Sequence, residues 1–207
     1  MSAYDRDFWE QRWSQALREH PERVAQRRPN VHLAAELGDL RPGRALDAGC
    51  GHGSDALWLA TRGWQVTAAD FSATALAHAR STAEALGPAV AERIEWVEAD
   101  LATWTPPPAA YDLVLCLYVH ASGPVEEMVQ RVATGVTAGG TLFMVGHRPT
   151  DPATGAPTAA AGQVQVSVDA AVAVLDPGRW EPIVAEERPR PVAGTGVDAV
   201  IRARRRS

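Results

Sequence analysis

The stretch that decides the fold is Ala45-Leu46-Asp47-Ala48-Gly49-Cys50-Gly51-His52-Gly53-Ser54-Asp55-Ala56. It reads as a short apolar strand, a glycine-rich turn and the start of a helix. Gly49, Gly51 and Gly53 remove three Cβ atoms where the backbone must bend and a ligand must come close, and the N–H groups opening the following helix favour anionic or lone-pair-bearing ligand groups. The turn is a ligand cradle.

The next segment narrows the ligand. Gln65-Val66-Thr67-Ala68-Ala69 reads as a second strand ending in Asp70, roughly 20 residues past the glycines, where a carboxylate can accept hydrogen bonds from ribose hydroxyls. The dinucleotide fingerprint G-x-G-x-x-G needs its third glycine at position 54, which is Ser54; the glycine stands one place early, at Gly53. Pyrophosphate binding is disfavoured, and a nicotinamide-dependent reductase becomes the weaker reading.

Leu46 to Gly53 resembles the first motif of the class I S-adenosylmethionine (SAM) methyltransferases. Asp70-Phe71 resembles that family's ribose acid with its apolar neighbour against adenine. Glu98-Ala99-Asp100-Leu101 resembles the segment whose carboxylate faces the adenine amino group. Tyr111 to Leu117 is similar to the fourth strand, and Ala138 to Val145 to the turn and fifth strand. The resemblance spans roughly Leu40 to His147, and its five ordered motifs are more specific than one glycine loop. It implies SAM as cofactor, S-adenosylhomocysteine as product, and Asp47, Ala48, Gly49, Cys50, Gly51, Gly53, Asp70, Phe71, Asp100, Leu101 and Cys116 as cofactor-binding residues.

The 207 residues fit one domain able to bury a sizeable core without disulfides or metal. At 46% hydrophobic, 22% charged and a formal charge of −5, the composition carries no basic bias toward nucleic acid or anionic membranes. All 20 basic residues are Arg, which excludes a P-loop lysine, a pyridoxal phosphate Schiff base and a lysine general base. Cys50 and Cys116 lack metal-site spacing, so neither a structural zinc nor a disulfide framework is expected. The charged N-terminus has no apolar signal core and no apolar run reaches the roughly 18 residues of a membrane span, so a cytoplasmic monomer or homodimer is expected.

Residues 4–17 place Phe8 or Trp9, Trp13 and Leu17 on one helical face. This stripe either packs on the core or forms a lid; in the resembling enzymes such a helix closes over the cofactor and walls the substrate pocket, making Trp9 and Trp13 substrate-side candidates. Pro21 should end the helix, and Pro29–Leu40 reads as another. From 44 to 147 the pattern alternates: strand 44–48, helix 53–62, strand 65–69, helix 72–86 with Ser72 as N-cap, strands 93–97 and 111–117, helix 124–135 and strand 141–147. Alternation of this kind gives an α/β, Rossmann-like doubly wound sheet, with ligands outside the carboxyl ends of its strands. Gly49, Asp70, Asp100, Cys116 and His147 all fall at such ends.

Residues 149–162 read as a long loop, with 148–166 as a mobile segment. Ser167–Leu175 should be a short helix, and Trp180–Glu187 and Val197–Ala203 strands joined at Gly194-Thr195-Gly196. The resemblance implies that these complete a seven-stranded, mostly parallel sheet as an antiparallel C-terminal hairpin. One domain, 1–207, is therefore expected, with a helical lid over 1–40, a SAM-binding core over 41–147 and a C-terminal helix and hairpin over 167–207.

SAM is already an activated methyl donor, so the protein's task is to align the acceptor and exclude water. Tyr118, His120 and His147 follow the fourth and fifth strands, where an imidazole or phenol can take a proton from the acceptor. His120 is the first candidate for that base, and its alternative is a histidine hydrogen-bonded to backbone. Arg148 can bind an anionic substrate or simply be solvated. His52 is read as lining the cofactor, not as a metal ligand, and Cys50 as a small apolar residue. The family's asparagine-proline-proline-tyrosine signature is replaced by Cys116-Leu117-Tyr118-Val119, which points away from nucleic-acid amino groups; the compact size and the resemblance together imply a small-molecule acceptor with a sulfur, selenium, tellurium, oxygen or nitrogen nucleophile. The chain ends most resemble small bacterial methyltransferases related to the tellurite-resistance and thiopurine enzymes. A SAM-binding sensor without turnover is the remaining alternative.

Overall fold

In the computed structural model the described residues are 6–25, 28–120, 123–151, 154–158, 162, 165–190 and 196–207. The chain divides into two units, 1–104 and 105–207. Seven strands form one sheet in the order β3-β2-β1-β4-β5-β7-β6, with β1 Arg44–Ala48, β2 Gln65–Asp70, β3 Ile94–Glu98, β4 Tyr111–Leu117, β5 Val136–His147, β6 Trp180–Pro189 and β7 Val197–Arg205.

The N-terminal unit carries the parallel ladder of β1, β2 and β3. Ala45, Leu46, Asp47 and Ala48 of β1 are all buried, the pattern of a parallel strand covered on both faces. Its principal helices are α1 (Arg6–Glu19), α4 (Ser54–Thr61) and α5 (Ala73–Ala85), with short helices α2 (Pro21–Ala25), α3 (Leu33–Leu37) and α6 (Pro88–Ala91) between them. Ser72 caps α5 by accepting the Ala75 N–H at 3.1 Å, as its position before the apolar run implies.

One expectation about the N-terminal helices is corrected. The helix expected over 29–40 is confined to Leu33–Leu37, because the Asn30 side chain accepts the His32 N–H at 2.9 Å and offers the backbone a turn in place of the first helical bonds. On α1, Phe8, Trp9, Trp13 and Leu17 are half-buried, and no residue of the helix is fully buried. Pro21 does separate α1 from α2, and it opens the second helix, where its missing N–H costs nothing.

The C-terminal unit begins its parallel pairing with β4 and β5. Leu113, Val114 and Leu115 on β4, Leu142, Phe143, Met144 and Val145 on β5, and Val200 and Ile201 on β7 are wholly or almost wholly buried and make its core. β5 starts earlier than the expected residue 141: the register jumps from Tyr111↔Val136 to Leu113↔Thr141, so the Gly139-Gly140 segment is an irregularity inside the strand and not a separate turn. Helix α7 is Val125–Ala133, and α8 is Val168–Val174, capped by Ser167, whose hydroxyl accepts the Ala170 N–H at 3.2 Å. β7 runs antiparallel to both β5 and β6, as the hairpin expectation holds. The Gly194-Thr195 part of its turn and residues 152, 153 and 159–161 of the 149–162 loop lie outside the described residues.

Candidate functional site

In the N-terminal unit β1 ends in a turn whose Gly49, Gly51 and Gly53 have φ of 82°, 52° and 79°. The turn is fastened to β2 from two directions. Gly49 and Cys50 donate their N–H groups to the Ala69 carbonyl at 2.8 and 3.0 Å, and Gly51 donates to Asp70 Oδ2 at 2.8 Å. Asp70 Oδ1 accepts the Ser72 N–H at 2.9 Å, so one carboxylate joins the glycine turn to the start of α5.

The space beside these glycines is tightly used. A Cβ on Gly51 would come within 2.8 Å of Trp13 Cζ2, and one on Gly53 within 2.8 Å of both Ala79 Cβ and Trp96 Cη2. Trp13 also lies against His52, with ring centroids 5.3 Å apart. Of the two tryptophans expected at the substrate side, Trp13 therefore reaches the glycine turn, while Trp9 stands edge-on to Phe8 with the Arg12 guanidinium over its face, on its own helix. Polar contacts hold α1 to its unit: Glu10 accepts the Thr74 hydroxyl, and Arg6 pairs with Glu98. Burial would raise the Glu10 carboxyl, but hydrogen bonds from Ser72 and Thr74 and the Arg6 charge outweigh it and hold it below its usual range.

Electrostatics set the character of the cradle. Asp47 is buried, its Oδ2 has no hydrogen-bond partner among the described residues, and burial reinforced by the charges of Asp55 and Asp70 pushes its carboxyl well above the usual range. Burial likewise raises Asp55 to about 6, against the opposing hydrogen bond from Asn30 N–H, and raises Asp70 against the bonds from Ser72, Gly51 and Phe71. Among the described residues no arginine offsets the charge of any of the three. Buried carboxylates in this condition favour a cationic ligand and repel a pyrophosphate. SAM is cationic at both its amino group and its sulfonium, so these residues fit it.

The remaining cofactor candidates separate. Ala48 and Leu101 are buried, Phe71 is half-buried, and Asp100 turns its own segment by accepting the Ala102 N–H at 2.8 Å. That segment stays close to the ribose candidate, because Ala99 N–H donates to the Asp70 carbonyl at 2.9 Å. Cys50 is buried and its thiol is pushed up by burial and by the Asp47 and Asp70 charges, which keeps it a neutral apolar group. Cys116 belongs to the C-terminal unit, buried in β4 opposite Met144.

The C-terminal unit gathers the expected acceptor-side residues with three that sequence reasoning missed, Gln165, Arg190 and Asp198. Asp198 is fully buried on β7 and in register with His147. Its Oδ2 accepts the Tyr118 hydroxyl at 2.8 Å, while its Oδ1 lies 2.9 Å from Arg190 Nε and 3.0 Å from His147 Nδ1. Tyr118 and His147 stack with centroids 3.8 Å apart. Gln165 is delivered by a close approach: a Cβ on Gly146 would collide with the Val166 carbonyl oxygen. Its Oε1 accepts the His147 N–H at 2.6 Å, and its Nε2 lies 2.9 Å from His120 Nε2. Arg148 is paired with Glu187 at 2.6 Å, so it is a half-buried ion pair and not a solvated side chain. The available signal was Asp198 itself, a charge inside the otherwise apolar run Val197-Asp198-Ala199-Val200-Ile201.

Comparison with known proteins agrees with this geometry. Residues 45–140 match the family model described as "Methyltransferase domain". Trans-aconitate 2-methyltransferase of Paracidovorax citrulli is 35% identical over 122 residues, 56% of this chain and 43% of that protein. Ribosomal RNA small subunit methyltransferase C of Chromohalobacter salexigens is 32% identical over 121 residues, 56% of this chain and 34% of that protein. The matches thus span less than half the length of these curated relatives. The solved Burkholderia thailandensis 1,6-didemethyltoxoflavin-N1-methyltransferase, with bound 1,6-didemethyltoxoflavin and S-adenosylhomocysteine, superposes with a TM-score of 0.64 at 18% identity over 100% of this chain and 92% of that one. With this strand order and glycine turn, the chain has the fold of the class I SAM-dependent methyltransferases, and residues 45–140 are similar to a methyltransferase domain.

Proposed function

We propose that the protein transfers a methyl group from SAM to a small-molecule acceptor. The observation that carries this reading is the set of buried, uncompensated carboxylates Asp47, Asp55 and Asp70 about a glycine turn, an environment suited to a cationic ligand. SAM supplies an activated methyl group when bound. The chain's own part is to hold it: Asp70 accepts from the ribose hydroxyls with the lone pairs left over from its two backbone bonds, Asp47 Oδ2 takes a donor of the amino acid end, and Phe71, Asp100 and Leu101 line the adenine.

Helix α1 acts as the lid, with Trp13 as the part that meets the glycine turn; its attachment through side-chain contacts of Glu10 and Arg6 rather than a buried face is what supports an element that opens. Tyr118, His120, His147 and Arg148 serve the acceptor. A small-molecule acceptor is favoured over nucleic acid by the net charge of −5 and the absence of lysine, and the trans-aconitate and toxoflavin enzymes among the relatives point the same way. The tellurite-resistance and thiopurine group is kept as one acceptor class within this reading. No helix among the described residues is long and apolar enough to cross a membrane.

Calorimetry with S-adenosylhomocysteine, run beside NADH, tests the proposal. Micromolar binding of the first and none of the second is the expected result; the reverse makes the protein a reductase. Production of S-adenosylhomocysteine from SAM across a panel of small acceptors then separates an enzyme from a sensor.

A further inference from the structure

A cavity of about 320 Å³ lies wholly within the N-terminal unit, between α5, the short helix α6 and β3. That is the size of a site for one small molecule, roughly 300–1,000 Å³. β3 stands first in the sheet order, so one of its margins has no neighbouring strand among the described residues. The Val66 N–H donates to the Arg93 carbonyl at 2.8 Å and the Ala99 N–H to the Asp70 carbonyl at 2.9 Å, which turns the odd-numbered residues of this stretch toward β2. Because the direction alternates along a parallel strand, Ile94 and Trp96 turn their main-chain N–H and C=O groups outward. Both residues border the cavity.

The apolar wall is buried Ile94, buried Ala83 of α5 and half-buried Trp96. Trp96 is fixed from behind, since its ring reaches Gly53 so closely that an added Cβ there would come within 2.8 Å of Cη2. The wall therefore stands ready without a ligand. Arg80 and Glu84, one turn apart on α5, supply a charge of each sign at the exposed rim, and among the described residues no ion pair joins them to each other or to another side chain. Glu95 also borders the cavity, but its carboxylate accepts the Thr67 hydroxyl across the ladder at 3.5 Å, which leaves Glu84 as the anion of the site.

We propose that this cavity is a binding site for a free apolar α-amino acid of about the size of leucine. Its ammonium pairs with Glu84 and an outward carbonyl of β3, its carboxylate with Arg80 and an outward N–H, and its side chain covers Trp96 and Ile94. A simple amine would meet Arg80 as a like charge and a simple acid would meet Glu84 so, whereas a zwitterion uses both. The charges at the rim favour the free amino acid over a strand of peptide, whose main chain carries neither. The site lies outside the cofactor cradle, and the reading does not depend on methyl transfer.

The test is calorimetry of the full chain with L-leucine, run beside three analogues: 3-methylbutylamine, which lacks the carboxylate, 4-methylpentanoate, which lacks the ammonium, and N-acetyl-leucine methylamide, a strand mimic with neither charge. One-to-one binding of leucine is expected, with each analogue weaker by about tenfold or more, the scale of a hydrogen bond to a charged group. Arg80→Gln and Glu84→Gln, at exposed positions that folding can spare, should each weaken leucine by about tenfold and leave the melting temperature unchanged. No binding of leucine at millimolar concentration overturns the proposal, and so does binding that survives both substitutions. Displacement of leucine by S-adenosylhomocysteine overturns it too, since the amino acid would then sit in the cofactor cradle. Equal or tighter binding of an analogue does the same: the amine or the acid would show that one charge goes unused, and the methylamide would make β3 a strand-pairing edge.

Discussion

The Asp70 carboxylate and the Gly51 N–H, 19 residues apart in sequence, meet at 2.8 Å, and this bond ties the glycine turn to the end of β2. Asp70 therefore acts on the fold before any ligand arrives. Asp70→Ala should leave the Gly51 and Ser72 N–H groups without their acceptor, lowering stability by about 1–3 kcal/mol for the buried unmet donors and weakening S-adenosylhomocysteine by a similar amount. Thermal melts and calorimetry on one preparation check both. A normal dissociation constant beside a lowered melting temperature would make Asp70 a structural tie and not a ribose acceptor.

The relation of Trp13 to Gly51 gives a coupled prediction. At φ 52° an alanine costs roughly 1–2 kcal/mol in backbone strain, and its methyl would press on the indole ring at 2.8 Å. Gly51→Ala should thus destabilise and displace α1, and the steric share of that loss should vanish in a Trp13→Ala background. The double-mutant cycle read from chemical denaturation should show coupling on the order of 0.5 kcal/mol or more. Additive losses would mean that α1 does not rest on the turn in solution.

The strand-to-turn-to-helix reading of 45–56, the capping serines and the hairpin were legible because each depends on local chemistry: apolar runs, glycine at positive φ, a hydroxyl before a helix. The Asp198 group was not, because register alone brings position 198 to 147 and a close approach at Gly146 brings Gln165 to both histidines. The start of α3 was missed for a related reason. Asn30 looks like an ordinary helix-entry residue, but it spends its side chain on His32 and its N–H on Asp55 Oδ1 at 2.7 Å.

Trp13→Ala separates the lid from a packing role. Since α1 has no fully buried residue, its truncation should change global stability little, while S-adenosylhomocysteine should leave faster and turnover should fall. Stopped-flow dissociation measures the first effect directly. A large drop in melting temperature with unchanged ligand release would return the stripe to the core.

The carboxylates of the cradle reverse the usual pH dependence of stability. Asp55 titrates at about 6 in the folded chain against 3.8 for the free side chain, and Asp47 and Asp70 are also raised, chiefly by burial. The folded state then binds more protons than the unfolded one between those values, so the slope of unfolding free energy against pH is negative there. The contribution is fully present below pH 4, falls through the interval to 6, and for Asp55 amounts to about 3 kcal/mol at most. The ligand-free protein should therefore melt at a higher temperature at pH 5 than at pH 7.5. Asp55→Asn, which keeps an acceptor for the Asn30 N–H, should flatten the profile. Because a cationic ligand interacts best with the ionised carboxylates, the stabilisation by SAM should grow as pH rises over the same interval. Scanning fluorimetry from pH 4.5 to 8, with and without SAM, reads both slopes. A ligand shift that shrinks with rising pH would show that the cradle carboxylates do not face the cationic end of the cofactor.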